Sequence, residues 1–304
     1  MDEFIISVYV VVDDLLKAWK ADWGLTSWPW RRRGPAPTLS DSEVLTMELV
    51  GEFCRLDTDK GIYTYFCQHG SELFPALPRV HRTTFVRQAT RLAAVKQALW
   101  RLLLDQLPHD GTLSVVDSFP LDVCQLARAS RCRRFAGEAA YGYDELIKQT
   151  FYGFRWHVRV GWPGVICEVE VAAANLSDTT VVEQLLERAP AGSVVLGDRN
   201  YWSPTCQTQV REELGVRLLA PFRRRQGGPP EGRWPRWLTQ MRRRIETVIG
   251  QLVERYQAKR TWARDGEHLL NRVLRKVLSH TICLWLNRQR GHEAFLQLDA
   301  LMAN

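Results

Sequence analysis

The sequence contains no cysteine pair with the spacing of a metal-ligand set and no long uninterrupted apolar run. Its seven cysteines are scattered between residues 54 and 283, with no accompanying histidine pattern. A disulfide framework and a structural zinc site are therefore not expected, and scattered thiols are typical of a reducing compartment. The apolar stretch at residues 4–12 is too short to cross a bilayer and follows acidic residues instead of basic ones. We expect a cytoplasmic protein with no membrane segment.

Several catalytic signatures are missing as well. The chain has no Walker loop, no G-x-S-x-G elbow and no H-E-x-x-H helix, and its seven histidines are dispersed. These absences argue against a P-loop nucleotidase, a hydrolase of the nucleophile-elbow type and a zinc protease of that class. A length of 304 residues, 45% of them hydrophobic, leaves room for two globular domains.

Positive charge is abundant and clustered. The formal net charge is +7, and arginines gather at residues 31–33, 131–134, 223–225 and 242–244. Such clusters favour an anionic partner with phosphate groups, and a solvated surface is the alternative for each cluster. Among the twelve tryptophans are several that lie near arginines, where they could stack on bases or simply pack in a core. These are Trp23, Trp28, Trp30, Trp234 and Trp237.

Residues 1–110 have the pattern of an all-helical region. Ser40 and Glu43 form a predicted capping box that opens a helix over residues 43–54. Residues 40–92 resemble a helix-turn-helix, with residues 78–92 as its second helix. Such a helix would place its N-terminal polar residues in the DNA major groove. The residues predicted to contact DNA there are Arg82, Thr83, Thr84 and Arg87. An ordinary amphipathic helix with basic outer positions is the alternative.

Strands begin at residue 111. Apolar strands are predicted over residues 113–117, 152–160, 165–172, 193–197 and 216–220, with helices after the third, fourth and fifth. This order predicts an α/β domain with a mixed sheet covered by helices, which is the ribonuclease H order. The predicted organisation is a helical DNA-binding region at 1–110, a catalytic domain at 111–290 and a tail at 291–304.

Acidic residues close two of these strands. Asp117 ends the first strand and Asp198 ends the fourth, and in the ribonuclease H order these strands are neighbours. Asp178, after the third strand, is interpreted as a helix cap. His157 lies on the second strand near the predicted site and is interpreted as a packed histidine.

A third acid lies on the amphipathic helix predicted over residues 237–256. Glu246 falls at the margin of its apolar stripe, one turn after Arg242. Taken alone, Glu246 is either a surface glutamate paired with arginine or a metal ligand. Together, Asp117, Asp198 and Glu246 predict a site for two Mg²⁺ or Mn²⁺ ions, which would promote an in-line displacement at a phosphodiester.

Five segments together resemble the DDE transposases of bacterial insertion sequences, most closely those of the insertion sequence 982 family. The segments are LSDSEVLTMELVGEF, VVDSFPLDVCQLARASRC, FYGFRWHV, LGDRNY and RRRIETVIGQL. The resemblance implies a ribonuclease H-like core, a catalytic and metal-binding triad of Asp117, Asp198 and Glu246, and recognition of terminal inverted repeats by the N-terminal region. It also implies nicking of DNA, transfer of the freed 3′-hydroxyl to target DNA, and a homodimer on DNA, in a bacterial or archaeal cytoplasm with the protein at the nucleoid.

The chain departs from the family pattern at several positions. Arg199 and Asn200 follow Asp198 where Lys-Gly is usual, although Tyr201 is kept. Arg199, Tyr201, Arg242 and Arg243 are accordingly predicted to contact DNA. Thr239 and Val253 stand where a tyrosine and a lysine are expected, so no role is carried over to them. Two other functions stay open: a transposase-derived DNA-binding protein without catalysis, and a ribonuclease H-fold nuclease without strand transfer.

Overall fold

The computed structural model describes residues 1–24, 36–221, 236–260, 262–291 and 295–302, with only the backbone for residues 236–239. The arginine clusters at 31–33 and 223–225 and the residues Trp28, Trp30 and Trp234 lie outside this part of the chain, as does the side chain of Trp237. Two compact units divide the chain. The first contains Met1–Pro108, Glu254–Ala258 and Trp262–Asn304, and the second contains His109–Val253 and Lys259–Thr261.

The first unit is helical. Its helices are α1 (Asp2–Asp22), α2 (Asp41–Phe53), α3 (Asp59–His69), α4 (Arg82–Arg91), α5 (Ala93–Gln106) and, from the far end of the chain, α9 (Gly266–Gln289). The predicted capping box of α2 is confirmed. Ser40 Oγ accepts the Glu43 N–H at 3.1 Å, and Glu43 Oε2 accepts the Ser40 N–H at 2.6 Å. Both bonds satisfy amide groups that the first helical turn leaves without partners.

Helix α9 belongs to the first unit, although the sequence pattern placed it in the catalytic domain. It is buried on nearly every face. Its Arg275 and Lys276 are almost fully buried and form ion pairs with Glu48 and Glu52 of α2. Its apolar stripe does not specify which core it joins, so the sequence alone did not assign it to the first unit. The predicted tail also contributes to this unit, through the buried Leu298 and Leu301.

Helix α4 is amphipathic. Phe85 and Ala89 are buried, whereas Arg82, Thr83, Thr84 and Arg87 are exposed. This arrangement suits both interpretations of the helix, and its contact with DNA stays a prediction.

The second unit is built on a mixed sheet. Its strands are β1 (Asp110–Cys124), β2 (Ala140–Asp144), β3 (Gln149–Trp162), β4 (Val165–Ala173), β5 (Val194–Leu196) and β6 (Arg217–Leu219). The pairing order is β2-β3-β1-β5-β6, and β4 also pairs with β3. β3 is antiparallel to β1 and β4, whereas β1, β5 and β6 are mutually parallel. This mixed α/β arrangement with flanking helices fits a ribonuclease H-like domain.

Two strands differ from the prediction. β1 extends over 15 residues, so Asp117 lies inside the strand and not at its end. β2 lies in the segment 120–150, where no periodicity was visible, because its exposed tyrosines alternate with a glycine. β2 pairs with the first residues of β3 and β4 pairs with the later ones, so both strands lie along the same edge of β3.

Three further helices complete the described part of this unit: α6 (Asp178–Leu186), α7 (Pro204–Leu214) and α8 (Arg236–Glu254). Residues of α6 and α7 pack against Val116, Val195 and Leu218 of the sheet in one apolar cluster. The predicted stripe of α8 is confirmed by its buried Met241, Ile245, Val248 and Leu252.

Candidate active site

Asp117 lies in the central strand β1. It is half-buried, and its Oδ1 accepts the backbone N–H of Ser118 at 2.8 Å. Burial raises its pKa from the ordinary value of 3.8 to about 7. The negative charges of Asp198 and Asp178 raise the pKa further, and the nearby Arg242 guanidinium opposes them. Asp117 is therefore a carboxyl group that lacks sufficient positive charge around it.

Asp198 reaches the same end of the sheet through parallel pairing. Val115 of β1 pairs with Leu196 of β5, and each aspartate lies two residues beyond that pair. The predicted meeting of these two acids is thus explained by the register. Asp198 Oδ1 accepts the Asn200 N–H at 2.9 Å and caps the short 3₁₀ turn Arg199–Tyr201, which fixes the carboxylate at the strand end.

Asp178 is a third acid near this site, which the sequence pattern interpreted as a helix cap. The N-cap of α6 is Ser177, and Asp178 is the first helical residue. Its Oδ1 accepts the Ser118 hydroxyl at 3.0 Å and lies 3.5 Å from His157 Nδ1. Burial raises the pKa of Asp178, and the negative charges of Asp198 and Glu145 contribute in the same direction. The only sequence feature that could have indicated this position of Asp178 is Ser118, the serine directly after Asp117.

Ser118 and His157 face each other across β1 and β3, beneath the start of α6. His157 is fully buried, and burial lowers its pKa to about 4, so the ring is neutral at pH 7. Within the described residues neither ring nitrogen makes a hydrogen bond. Its burial agrees with the interpretation of His157 as a packed residue. The ring nitrogens of His157 nevertheless have hydrogen-bonding capacity that Asp178 does not fully satisfy.

Tyr201 was predicted to contact DNA, and the structure contradicts this. Its side chain is fully buried in the cluster formed by β1, β5, α6 and α7, so it offers no surface to a nucleic acid. Burial raises the pKa of its hydroxyl well above 10, and the charges of Asp178, Asp117 and Asp198 add to this. In the described part of the chain its hydroxyl has no hydrogen-bond partner. Tyr201 is therefore a packed core residue close to the acids.

Glu246, the third acid of the predicted triad, lies on α8. It is exposed on α8, one turn after the half-buried Arg242 whose charge reaches Asp117. Among the described residues, no three His, Cys, Asp or Glu side chains lie close enough to hold a metal ion. The charges of Asp198 and Asp178 reach Asp117, and the role of Glu246 beside them stays a prediction.

The aspartates suit a divalent cation in chemical type. Hard carboxylate oxygens are the ligands that Mg²⁺ and Mn²⁺ prefer. The mutual repulsion that raises the pKa of Asp117 would be relieved by a bound cation, and the guanidinium of Arg242 relieves it only in part.

The remaining residues predicted to contact DNA are exposed. Arg199 and Arg243 lie at the surface of the second unit, on the turn after Asp198 and on α8. Their exposure is compatible with phosphate contact, which stays a prediction for both.

Comparison with known proteins follows the boundaries of the second unit. A family model described as a transposase DDE domain matches residues 109–265, just over half of the 304 residues. No curated protein matches the chain. None of the described helices combines the length and apolar character needed to span a bilayer.

Proposed function

The chain belongs to the transposase DDE domain family, and from this premise we propose that it is a DNA transposase of an insertion sequence, nearest the insertion sequence 982 family. DNA is the partner that the family implies. In the proposed reaction the protein binds terminal inverted repeats, nicks the element ends and transfers the 3′-hydroxyl to target DNA. We place this activity in the cytoplasm, at the nucleoid.

The observation that supports this proposal is the register of β1 and β5. It brings Asp117 and Asp198 to one end of the sheet, where burial and mutual repulsion raise the pKa of Asp117 to about 7. Perturbed acids of this kind are typical of functional sites. An ordinary structural aspartate would be paired or solvated, and its pKa would stay low.

We propose Asp117, Asp198 and Glu246 as the catalytic and metal-binding triad. Two Mg²⁺ or Mn²⁺ ions, when bound, would activate the attacking oxygen and stabilise the leaving oxygen of the phosphodiester. Asp117, within β1, and Asp198, just after β5, supply negative charge, and Arg242 supplies the positive charge that a DNA phosphate requires beside them. Glu246 contributes the third carboxylate from α8, one helical turn from Arg242.

The first unit is proposed to recognise the element ends. Arg82, Thr83, Thr84 and Arg87 lie at the exposed start of α4, which suits entry into a major groove. Arg199 and Arg243 are proposed to contact phosphates near the acids. Because two ends must be joined, we propose a homodimer on DNA.

Neutralisation of each acid tests the triad. Asp117→Asn, Asp198→Asn and Glu246→Gln should each abolish nicking of inverted-repeat DNA in Mg²⁺, while binding of the same DNA in a chelator is retained. Glu254→Gln is the matched control, because Glu254 is an exposed glutamate two turns further along α8. A triad variant that nicks at the rate of the control variant would remove that residue from the triad.

The exposed position of Glu246 favours one alternative, a transposase-derived protein that binds DNA without catalysis. Terminal inverted repeats and a target duplication around the reading frame would argue against it, and their absence together with no nicking would support it. A nuclease without strand transfer is distinguished by supplying pre-nicked ends and measuring joined products.

A further inference from the structure

The hairpin formed by β2 and β3 carries large apolar side chains into solvent. Leu146 is 88% exposed and Ile147 is 56% exposed at its tip, and Tyr141 and Tyr143 are about half exposed on β2. Exposing such side chains is unfavourable in water, since a buried aliphatic side chain gains free energy in proportion to its apolar area. A group of exposed apolar residues on one element marks an interaction surface.

The tip is an ordered structure. Asp144 Oδ1 accepts the Leu146 N–H at 2.9 Å, and Lys148 adopts a left-handed conformation with φ 53° that closes the turn. Arg155 Nη2 donates to the Tyr143 carbonyl at 2.5 Å. Tyr141 also packs on Tyr152 with ring centroids 5.1 Å apart. The hairpin is thus fixed with Leu146 and Ile147 directed into solvent, ready to meet a partner without further ordering.

The charge beside the hairpin identifies the class of partner. The segment that joins β1 to β2 carries four exposed arginines, and Lys148 is exposed at the tip. The arginines are Arg128, Arg131, Arg133 and Arg134. Exposed apolar side chains on a hairpin, together with exposed cations on the segment that leads into it, suit a polyanion that also has stacked, apolar interior faces, and this is nucleic acid.

The hairpin borders the acids. Gly142 of β2 lies against the residue that follows β4, because an added Cβ would be 2.8 Å from the Ala174 carbonyl oxygen. From Ala174 the chain leads directly into the start of α6 at Asp178. The charge of Glu145, at the tip of the hairpin, reaches Asp178. A DNA strand bound at the acids would therefore pass the tip of this hairpin.

We propose that the β2–β3 hairpin is a DNA wedge: Leu146 and Ile147 insert between base pairs at the element end beside the scissile phosphodiester, and the arginines of residues 128–134 hold the flanking phosphates. The proposal rests on the proposed transposase function. A two-stranded ribbon fits a DNA groove, and apolar side chains of this kind separate base steps in other DNA-binding proteins. Unstacking at this position would expose the strand that is cut.

The test uses the full-length chain and duplexes that carry the terminal sequences of the element, with 2-aminopurine at each position around the cleaved end. In a chelator, the wild-type protein should increase 2-aminopurine fluorescence several-fold at one or two positions. Leu146→Ala/Ile147→Ala should lower that increase to the level of free DNA while affinity falls less than about tenfold. Leu146→Met/Ile147→Met keeps apolar bulk and should retain the increase.

The control variant is Leu270→Ala, which removes a half-exposed leucine from α9 in the other unit and should change nothing. Unchanged fluorescence and nicking in the double alanine variant would overturn the wedge. A loss of dimer by the double alanine variant without a change in fluorescence would assign the hairpin to a second copy of the chain instead. Asp117→Asn should still unstack the DNA, because the wedge acts without catalysis. If wild-type protein binds the ends but 2-aminopurine fluorescence increases at no position, the wedge is overturned and the proposed function stands. If it does not bind the ends, both the wedge and the proposed function are overturned.

Discussion

The hydroxyl of Ser118 donates to Asp178 at 3.0 Å, while the backbone N–H of the same serine donates to Asp117 at 2.8 Å. Adjacent residues in a strand point to opposite faces of a sheet. One serine thus donates to two acids, its strand neighbour Asp117 and Asp178 at the start of α6, and its conformation affects both.

Removing this hydroxyl tests whether the connection matters for the reaction. We expect Ser118→Ala to lower the rate of nicking at saturating DNA by about tenfold, since one hydrogen bond to a charged group contributes about 1.5 kcal/mol or more. DNA affinity should be unchanged, because Ser118 is not a proposed DNA contact. Ser118→Thr keeps the hydroxyl and should restore most of the rate. Wild-type kinetics in Ser118→Ala would show that Asp178 is only a structural neighbour.

The raised pKa of Asp117 predicts an unusual dependence of stability on pH. The folded protein holds this proton up to about pH 7, whereas the unfolded chain releases it near pH 3.8, so the free energy of unfolding falls as pH rises between these values. Without metal at pH 8, Asp117→Asn should therefore raise the free energy of unfolding by about 2 kcal/mol, after a discount for the half-exposed carboxyl. The gain should shrink toward pH 5. Urea unfolding at both pH values measures it, and a variant less stable than wild type at pH 8 would contradict the assignment.

The buried ion pair between Lys96 and Glu48 should be essential for the helical unit. Both side chains are almost fully buried, and burial lowers the pKa of Lys96 against the attraction of Glu48. Lys96→Met leaves Glu48 with one fewer cation in an apolar interior and should lower the free energy of unfolding by about 3–5 kcal/mol. Lys17→Met is the control, since Lys17 pairs with Asp13 at the surface and its loss should not be measurable by the same urea titration. Equal effects of the two substitutions would show that burial of the pair carries no energetic weight.

His280 predicts acid sensitivity of the same unit. Burial lowers its pKa to about 3, whereas the unfolded chain takes up this proton near pH 6.5. The unfolded state therefore binds more protons between these values, and the free energy of unfolding falls as pH decreases below 6.5. Thermal unfolding of His280→Leu should show a shallower decline of Tm between pH 6.5 and pH 4.5 than wild type shows. Parallel curves would mean that other groups cause the acid sensitivity.

The exposed arginines of α4 should make DNA binding depend on salt. The logarithm of affinity for inverted-repeat DNA should fall linearly with the logarithm of salt concentration, and Arg87→Ala should reduce the slope by about one. Lys60→Ala, an exposed lysine on α3, should leave the slope unchanged. If both substitutions have the same small effect, α4 is an ordinary amphipathic helix.

The predictable parts of this fold are those that a local pattern specifies. Ser40 and Glu43 predicted the start of α2, and apolar runs predicted β3 and β4, because the signals responsible lie within a few residues. That Asp117 and Asp198 lie level with each other was predictable because β1 and β5 are parallel neighbours, although Asp117 lies within β1 and not at its end.

The missed features depend on pairing between distant segments. Asp178 joined the acids through a hydrogen bond across 60 positions, and the burial of Tyr201 depends on α6 and α7 packing over it. β2 was missed because its pairing with β3, and not its own composition, stabilises it as a strand. The position of Glu246 beside the aspartates was expected from order along the chain and stays a prediction, because order alone does not specify how far a helix lies from a strand.

The membership of α9 in the first unit has a consequence for biosynthesis. A ribosome produces α1 to α5 before the mixed sheet, so Glu48 meets Lys96 early, whereas Arg275 and Lys276, the other cations paired with Glu48 and Glu52, arrive last. Until α9 is made, two of the three cations that pair with Glu48 and Glu52 are absent, so the helical unit is completed after the sheet of the second unit. Translation that stops after the DDE domain would accordingly yield a chain with a complete sheet and an incomplete helical unit.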